Sequence, residues 1–364
     1  MKPSARRWLL VALVSALLAA APVLPRLLPA EASDVSADRL LERVVASRDL
    51  GWSGEVRSRG TLQIPETDSF TGVADLLGDT STLRVWWRSD EQWRVDRVRA
   101  SGETDLVREG DLLTTWRFES ERATSSPYAT VRLPDASDLV PSQLARRLLA
   151  GADATELSRL PERRVAGRSA PGLRLEPADE QSTIDHVDVW ADAETGLALR
   201  VDVVGTASDL PVVSTAVIRF DPSTPDPGTT TFTAPPGARV GFRDAIDVAA
   251  GANAFAPFVL PDAVAGLERR GDPEELGAVG GYGRGPTALV AVPLRRGLAG
   301  QVREQLSASS AVRTDVGTSL EIGPLSVLLT EGGRGQGTFL LAGTVTPEVL
   351  ADAAAELAEQ VGRR

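Results

Sequence analysis

Few side chains in this sequence are able to do covalent chemistry. Among 364 residues there is no cysteine, one histidine (His186) and no lysine beyond Lys2. These absences exclude a thiol nucleophile, a lysine Schiff base, a phosphate-loop lysine and a multi-histidine metal centre. A Ser-His-Asp triad would have to use His186. What remains is Asp, Glu, Ser, Thr and the two tyrosines, Tyr128 and Tyr282. Asp90, Glu91, Asp96 and Glu103 could supply a glycosidase-like carboxylate pair, but acids in turns and on exposed strand faces ordinarily serve hydration. His186, in the strand-like IDHVDVW, shares a face with Asp188 and reads as a solvated strand histidine, with pH sensing as the functional alternative. The loops 280–285 (GGYGRG) and 332–337 (GGRGQG) look like phosphate cradles. Neither matches G-x-G-x-x-G or carries a lysine, so both read as hairpin or flexible loops. Arg146 and Arg147 form a pair able to grip a phosphate or an acidic partner, against the plainer reading of a solvated helix face. No cofactor and no metal are expected.

The elements that position these residues follow from periodicity. Residues 34–49 read as an amphipathic helix with Ser36 as N-cap and Leu40, Leu41, Val44 and Val45 on one face. From Trp52 the period becomes two. In 52–64 one face carries Trp52, Val56, Leu62 and Ile64, the other a run of polar residues, and the interspersed glycines suit a strongly bent strand. Further strands are expected at 70–77, 81–88, 91–99, 103–108, 111–118 and 127–133, joined by Gly-Asp, Ser-Asp and Glu-Gly turns. Leu83, Val85 and Trp87 share a face, as do Trp93 and Val95, and then Leu112, Thr114, Trp116 and Phe118. A helix over 138–150, with Asp138 as cap and Pro141 in its first turn, presents Leu144, Leu148 and Leu149. A second short helical stretch is read at 153–160. Strands resume at 164–176, 184–191, 197–205 and 212–221, and 232–240 closes the unit. After an Ala/Gly-rich linker (241–256), the segment 257–364 holds shorter strands and helices near 297–308 and 346–361.

The N-terminus has the layout of an export signal: Lys2, Arg6 and Arg7, an apolar run over 8–24, then Ala30-Glu31-Ala32. The run is at the low edge for crossing a bilayer of ~30 Å, so cleavage after Ala32 is expected, with an uncleaved anchor as the alternative. Without residues 1–32 the formal charge moves from −11 to −14. Such a chain repels nucleic-acid phosphate and anionic headgroups. With no cysteine it has no disulfide and no lipidation site of its own.

Six of the seven tryptophans lie between Trp52 and Trp190, on proposed strands. Inward Trp and Val describe an ordinary β-core. They also describe a half-closed barrel whose apolar face is incompletely filled, with the few helices lying across it as a lid over an acyl-chain cavity. The cavity would be lined by Trp52, Val56, Leu62, Ile64, Leu83, Val85, Trp87, Trp93, Val95, Leu112, Trp116 and Phe118, with Leu144, Leu148 and Leu149 on the lid.

The runs LERVVASRDLGWSGEV (41–56), VDVWADAETGLALRVDV (187–203) and FTAPPGARV (232–240) resemble the lipoprotein-carrier superfamily of LolA/LolB-like proteins. The closest subgroup is the sigma-E regulatory proteins of RseB/MucB type. GTFLLAGTVTPEVLADAAAEL (337–357) is similar to the strand-then-helix ending of the small C-terminal domain in that subgroup, which simple carriers lack. The resemblance implies an α+β protein: a curved antiparallel half-barrel with a helical lid over 33–240, followed by a small α+β domain over 257–364. It also implies a lipid or acylated ligand, a membrane-bound anti-sigma-like partner and no fixed catalytic residues. The expected function is therefore an exported, non-enzymatic lipid-binding regulator in the cell envelope. A carrier of lipoprotein or glycolipid, and a carboxylate hydrolase, stand as alternatives. The arginine-only basicity and the few aromatics after residue 260 depart from the pattern and leave the protein partner's identity open.

Overall fold

The computed structural model describes residues 33–63, 71–129, 131–243, 248–256, 259–272, 276–332 and 337–362. The expected export segment, Ile64 and most of the 332–337 loop lie outside them. Ser36 caps α1 (Ala37–Ala46) by accepting from the Arg39 N–H at 3.5 Å, and Leu40 and Val44, one turn apart, are buried. A short 3-10 turn, Ser47–Asp49, leads into the first strand.

Twelve strands build the first, open sheet. They are β1 (Trp52–Gly60), β2 (Thr80–Ser89), β3 (Gln92–Arg99), β4 (Gly102–Glu109), β5 (Leu112–Arg117), β6 (Arg122–Pro127), β7 (Leu157–Val165), β8 (Arg168–Leu175), β9 (Ile184–Ala191), β10 (Ala198–Gly205), β11 (Pro211–Asp221) and β12 (Arg239–Phe242). Their order is β12-β6-β5-β4-β3-β2-β1-β11-β10-β9-β8-β7. Every pairing is antiparallel except β12 on β6, which is parallel. Two short-turn meanders, β2–β6 and β7–β11, are thus joined through the central β1–β11 ladder.

Two expected strands are not strands. Residues 70–77 were read as β, but Thr71–Gly78 form α2. The sheet imposes this: Arg97 Nη2 donates to the Asp75 carbonyl at 2.9 Å and Arg99 pairs with the Asp75 carboxylate, pinning the helix over the strand ends. Residues 128–129 and 131–133 run on as a connection, the strand being Arg122–Pro127 instead. β7 replaces most of the helical turn expected at 153–160. The 138–150 helix divides into a 3-10 turn, Ala136–Leu139, and α3 (Pro141–Leu148), with Pro141 at its first position. Asp135, not Asp138, is the cap of that 3-10 turn, and Asp138 returns the bond to the Asp135 N–H at 2.7 Å.

The second sheet has eight strands: β13 (Ala263–Val264), β14 (Leu267–Arg270), β15 (Gly280–Arg284), β16 (Thr287–Leu294), β17 (Val312–Arg313), β18 (Gly317–Ile322), β19 (Leu325–Thr330) and β20 (Thr338–Gly343). They lie in the order β13-β14-β15-β16-β20-β19-β18-β17. Of the remaining helices, α4 (Val248–Asn253) precedes this sheet, α5 (Arg296–Ser307) follows β16, and α6 (Pro347–Gly362) buries Val349, Leu350, Ala353, Ala354 and Leu357 beside Phe339 and Leu341.

The two sheets touch through specific contacts. Arg284, in the β15–β16 hairpin, forks onto the buried Glu156 carboxylate with both bonds at 2.6 Å. Glu156 also accepts from the Asp153 and Ala178 N–H groups, and this environment holds its carboxyl down at about 2, the Arg284 bond being the largest cause. Gly285, at φ +50°, lies so close that a Cβ there would stand 2.7 Å from the Leu148 carbonyl at the end of α3. Thr183 Oγ1 donates to the Pro324 carbonyl at 2.5 Å.

Candidate functional site

Directly opposed residues of an antiparallel ladder point to the same side of the sheet, so the register sorts the first sheet into two faces. On one face, Trp52 stands opposite Trp87 and Trp87 opposite Trp93; Val85 faces Val95, which faces Leu106; Val56 faces Leu83. Val187, Val189, Val201, Val203, Val213 and Val217 extend this face across β9, β10 and β11. Trp87 and Trp93 stack with centroids 5.4 Å apart. Helices cover this face: Leu40 and Val44 of α1, Leu76 of α2, and Leu139, Val140, Ala145 and Leu149 around α3 belong to the same buried cluster, with Leu144 and Leu148 packed against it. Thr215, fully buried in β11, donates to the Leu139 carbonyl at 2.7 Å and ties the 3-10 turn to the sheet.

Seven of the proposed lining residues, Trp52, Val56, Leu83, Val85, Trp87, Trp93 and Val95, therefore come together under the helices. Of the other five, Ile64 lies outside the described residues and four do not join them. Leu62 lies beyond the end of β1 and is buried instead with Val302, Leu306, Leu320, Ile322 and Leu329 of the second sheet and α5. Trp116 stands opposite Asp105, one position out of phase with Leu106, so it points to the other face, against Phe232. Leu112 shares that phase and is part-exposed, and Phe118 sits past the end of β5 with 65 % of its surface exposed.

At the seam between α1 and α3 the cover is incomplete. A shallow cleft with a free volume of about 10 Å3, room for a single water, is lined by Val44, Ser47, Arg48, Leu50, Trp52, Trp87, Ser142, Gln143, Arg146 and Leu197. Three of these residues carry buried polar atoms without a partner: Trp52 Nε1, Trp87 Nε1 and Ser142 Oγ. Buried donors are nearly always satisfied, so three at one cleft mark a place suited to an oxygen acceptor. Arg146 at the rim holds both Asp90 oxygens at 2.9 Å and also reaches Gln143, while Arg48 lies 3.9 Å from Asp90. Arg147 turns away to pair with Asp138 at 2.6 Å. The expected arginine pair thus splits into one cleft residue and one residue that braces the 3-10 turn.

The opposite face of the sheet is charged. Arg94 bonds Asp96 through Nε at 2.6 Å and Nη2 at 3.0 Å, and Asp105 through Nη2 at 2.9 Å. Burial, and then the neighbouring Asp96 charge, push the Asp105 carboxyl up to about 7; burial likewise raises Asp96. Glu103 completes a trio whose oxygens lie within 4.8 Å of one another. Arg94 holds Asp96 and Asp105, and Arg84 lies 3.4 Å from Glu103, so each acid of the trio has an arginine of the protein beside it. Glu91 stays in the β2–β3 turn, apart from the trio. Farther along this face, Arg174 forks onto Asp188 at 2.7 and 2.8 Å, and Arg200 and Ser214 hold Asp202. His186 belongs to this ladder, with Nδ1 2.6 Å from Asp185 and Nε2 3.8 Å from Asp188. Asp105 was not singled out from the sequence. Its signal was the shared setting of VDRV and TDLV, where an aspartate adjoins an apolar residue buried on the other face.

With this geometry in hand, the relatives can be stated. Residues 71–221 match the family described as the MucB/RseB N-terminal domain. Among solved structures, MucB in complex with MucA(peri) is similar at 17% identity over 87% of this chain and 97% of that chain, with a TM-score of 0.48. The Pseudomonas aeruginosa MucA/MucB complex is similar at 18% identity over 90% of this chain and 96% of that one, TM-score 0.46. A LolA superfamily protein of Nitrosomonas europaea aligns at 12% identity over 54% of this chain and 98% of that chain, TM-score 0.23. No curated protein matches the chain. The chain is MucB/RseB-like through most of its first sheet, as the sequence resemblance implied.

Proposed function

We propose that this MucB/RseB-like chain is an extracytoplasmic, non-enzymatic regulator that binds a lipid or acylated ligand beneath helices α1 and α3 and reports it to a membrane-bound anti-sigma-like partner. In this reading 33–240 is a half-barrel with a helical lid, 241–256 a linker, and 257–364 a small C-terminal domain. The observation that carries it is the cleft at the α1–α3 seam. Its floor is tryptophan, it opens onto the largest apolar cluster among the described residues, and it holds three unpartnered donors suited to the ester or headgroup oxygens of an acyl ligand. Separation of the two helices would widen the cleft into the Trp52–Trp87–Trp93 surface.

The contact of the second sheet with the end of α3 favours a reporter over a simple carrier. Arg284 also donates to the Gly151 carbonyl at 3.0 Å, just past α3, while Gly285 abuts Leu148. A displacement of α3 by ligand would therefore be felt at the β15–β16 hairpin. MucB has been solved with MucA, and an equivalent membrane partner is proposed here. A carboxylate hydrolase gains no support, since Asp90, Asp96 and Asp105 are each held by an arginine.

Native mass spectrometry of the protein recovered from its own envelope tests the ligand, and in-cell crosslinking tests the partner. The expected results are a lipid-mass adduct and one dominant crosslinked membrane protein. Adduct-free protein that also extracts no lipid from vesicles would rule out the ligand. Rapid transfer of the adduct to membranes, with no stable membrane partner, would turn the reading to the carrier.

A further inference from the structure

We propose that the free edge of the first sheet at β12 is a docking site for an extended partner segment in which acidic residues alternate with apolar ones. The inference is independent of the proposed ligand cleft, which lies under the helices at Trp52 of β1 and Trp87 of β2.

Register brings three arginines into one row at this edge. Arg117 stands opposite Arg122 on β6, and Arg122 opposite Arg239 on β12. All three are exposed, and among the described residues none has an ion-pair partner. Like charges directly opposite one another on neighbouring strands destabilise a sheet, and here they are stacked in a chain whose net charge is −11. Elsewhere on this sheet arginines face aspartates, as in Arg174–Asp188 and Arg94–Asp96. Among the described residues the row at the edge has no internal counter-charge, and an acidic segment would supply one.

The backbone points the same way. Arg239 and Arg243 donate their N–H groups inward to the Glu121 and Ser125 carbonyls, at 2.8 and 2.9 Å. The strand alternates, so the N–H and C=O groups of Val240 and Phe242 face outward from the sheet. A bare edge of this kind is a template for an added strand. Val240 and Phe242 also project from the face opposite to the arginine row, each with 65 % of its surface exposed. A strand added beside β12 would set acidic side chains near Arg239 and Arg243 and apolar ones near Val240 and Phe242. A second copy of this chain fits poorly, because two β12 edges would bring two arginine rows together.

The test uses the exported protein and a dye-labelled ten-residue peptide alternating Glu and Val, followed by fluorescence anisotropy; the controls replace Glu by Gln or by Lys. The Glu peptide should bind at least tenfold more tightly than the Lys peptide, and its affinity should fall at least tenfold between about 0.05 and 0.5 M salt. Val240→Pro removes one outward N–H, and proline is tolerated at such positions on edge strands. It should weaken the Glu peptide at least tenfold with an unchanged circular dichroism spectrum and melting temperature. Joint reversal by Arg122→Glu and Arg239→Glu should invert the preference towards the Lys peptide, a gain that misfolding cannot mimic. The proposal is overturned by equal binding of all three peptides or by Glu-peptide binding indifferent to Val240→Pro. It is likewise overturned if the edge mediates only self-association, or only binding to anionic vesicles.

Discussion

The two faces of the first sheet are built from the same strands but held together by different physics. On the helix-covered face, Trp52, Trp87, Trp93 and the valine rows lose their water to one another and to α1, α2 and α3. Stability there is area removed from water and does not depend on pH. On the other face Arg94, Arg174 and Arg200 hold aspartates that are themselves mostly buried. Each such pair gives back in Coulomb energy much of what it lost in desolvation, so its net contribution is small although its removal is costly. The contrast supports placing the proposed ligand site on the first face. Apolar contacts can be exchanged for an acyl chain at little cost, whereas an ion-pair ladder cannot be opened without stranding a charge.

The contrast can be broken most severely at Trp93. It is 1 % exposed and stacked on Trp87, and Trp93→Ala should destabilise by about 3–5 kcal/mol at any pH. Trp86, one residue from Trp87 but on the charged face under Arg94, should cost only about 1 kcal/mol when truncated. Chemical denaturation of the two variants compares the faces directly, and equal losses would erase the distinction.

The next effect belongs to the charged face alone. Arg94→Ala strands Asp96 and Asp105, and a loss of about 2–3 kcal/mol is expected at pH 8. The loss should shrink at pH 5, where the Asp105 carboxyl, pushed up to about 7 by burial, holds a proton instead of a charge. Asp105 sets a smaller, signed effect. Folded, it keeps its proton up to about pH 7, whereas the free side chain loses it near 3.8. Between those values the folded state holds the extra proton, so stability falls as pH rises and levels off above 7. Asp105→Asn should remove that downward slope between about pH 4 and 7. Urea midpoints from pH 4 to 8 measure it, and a slope unchanged in the variant would assign the titration elsewhere.

Much of this architecture is legible in the residues. Alternation marks β2, β3, β9, β10 and β11 because each has one apolar face, and the Ser36 cap and Pro141 mark α1 and α3. What alternation cannot give is phase across a turn. Leu112, Trp116 and Phe118 share a face among themselves, but only the ladder with β4, which sets Trp116 against Asp105, shows that it is the charged one. α2 was hidden because TGVADLLG is short and apolar, and its helix is fixed by Arg97 and Arg99 from more than twenty residues away. β7 was hidden because LSRLPERRV carries a proline and three arginines, as suits the edge strand it is. The seven tryptophan-floor residues were readable; the cleft was not, since it depends on where α1 and α3 part.

The smallest stability effect sharpens the comparison from the ligand side. Ser142, Trp52 and Trp87 carry polar atoms that are buried without serving the fold. A donor with no partner contributes nothing to stability and costs its desolvation. Ser142→Ala should therefore change unfolding free energy by less than about 0.5 kcal/mol, or raise it slightly. The same substitution should lower the retention of co-purified lipid, because it removes one of the three unpartnered polar atoms that line the cleft. A fold-neutral change that loosens the ligand would assign the orphan donors to binding. A marked loss of stability with unchanged lipid content would instead make Ser142 part of the α3 scaffold, and the seam an ordinary packing defect.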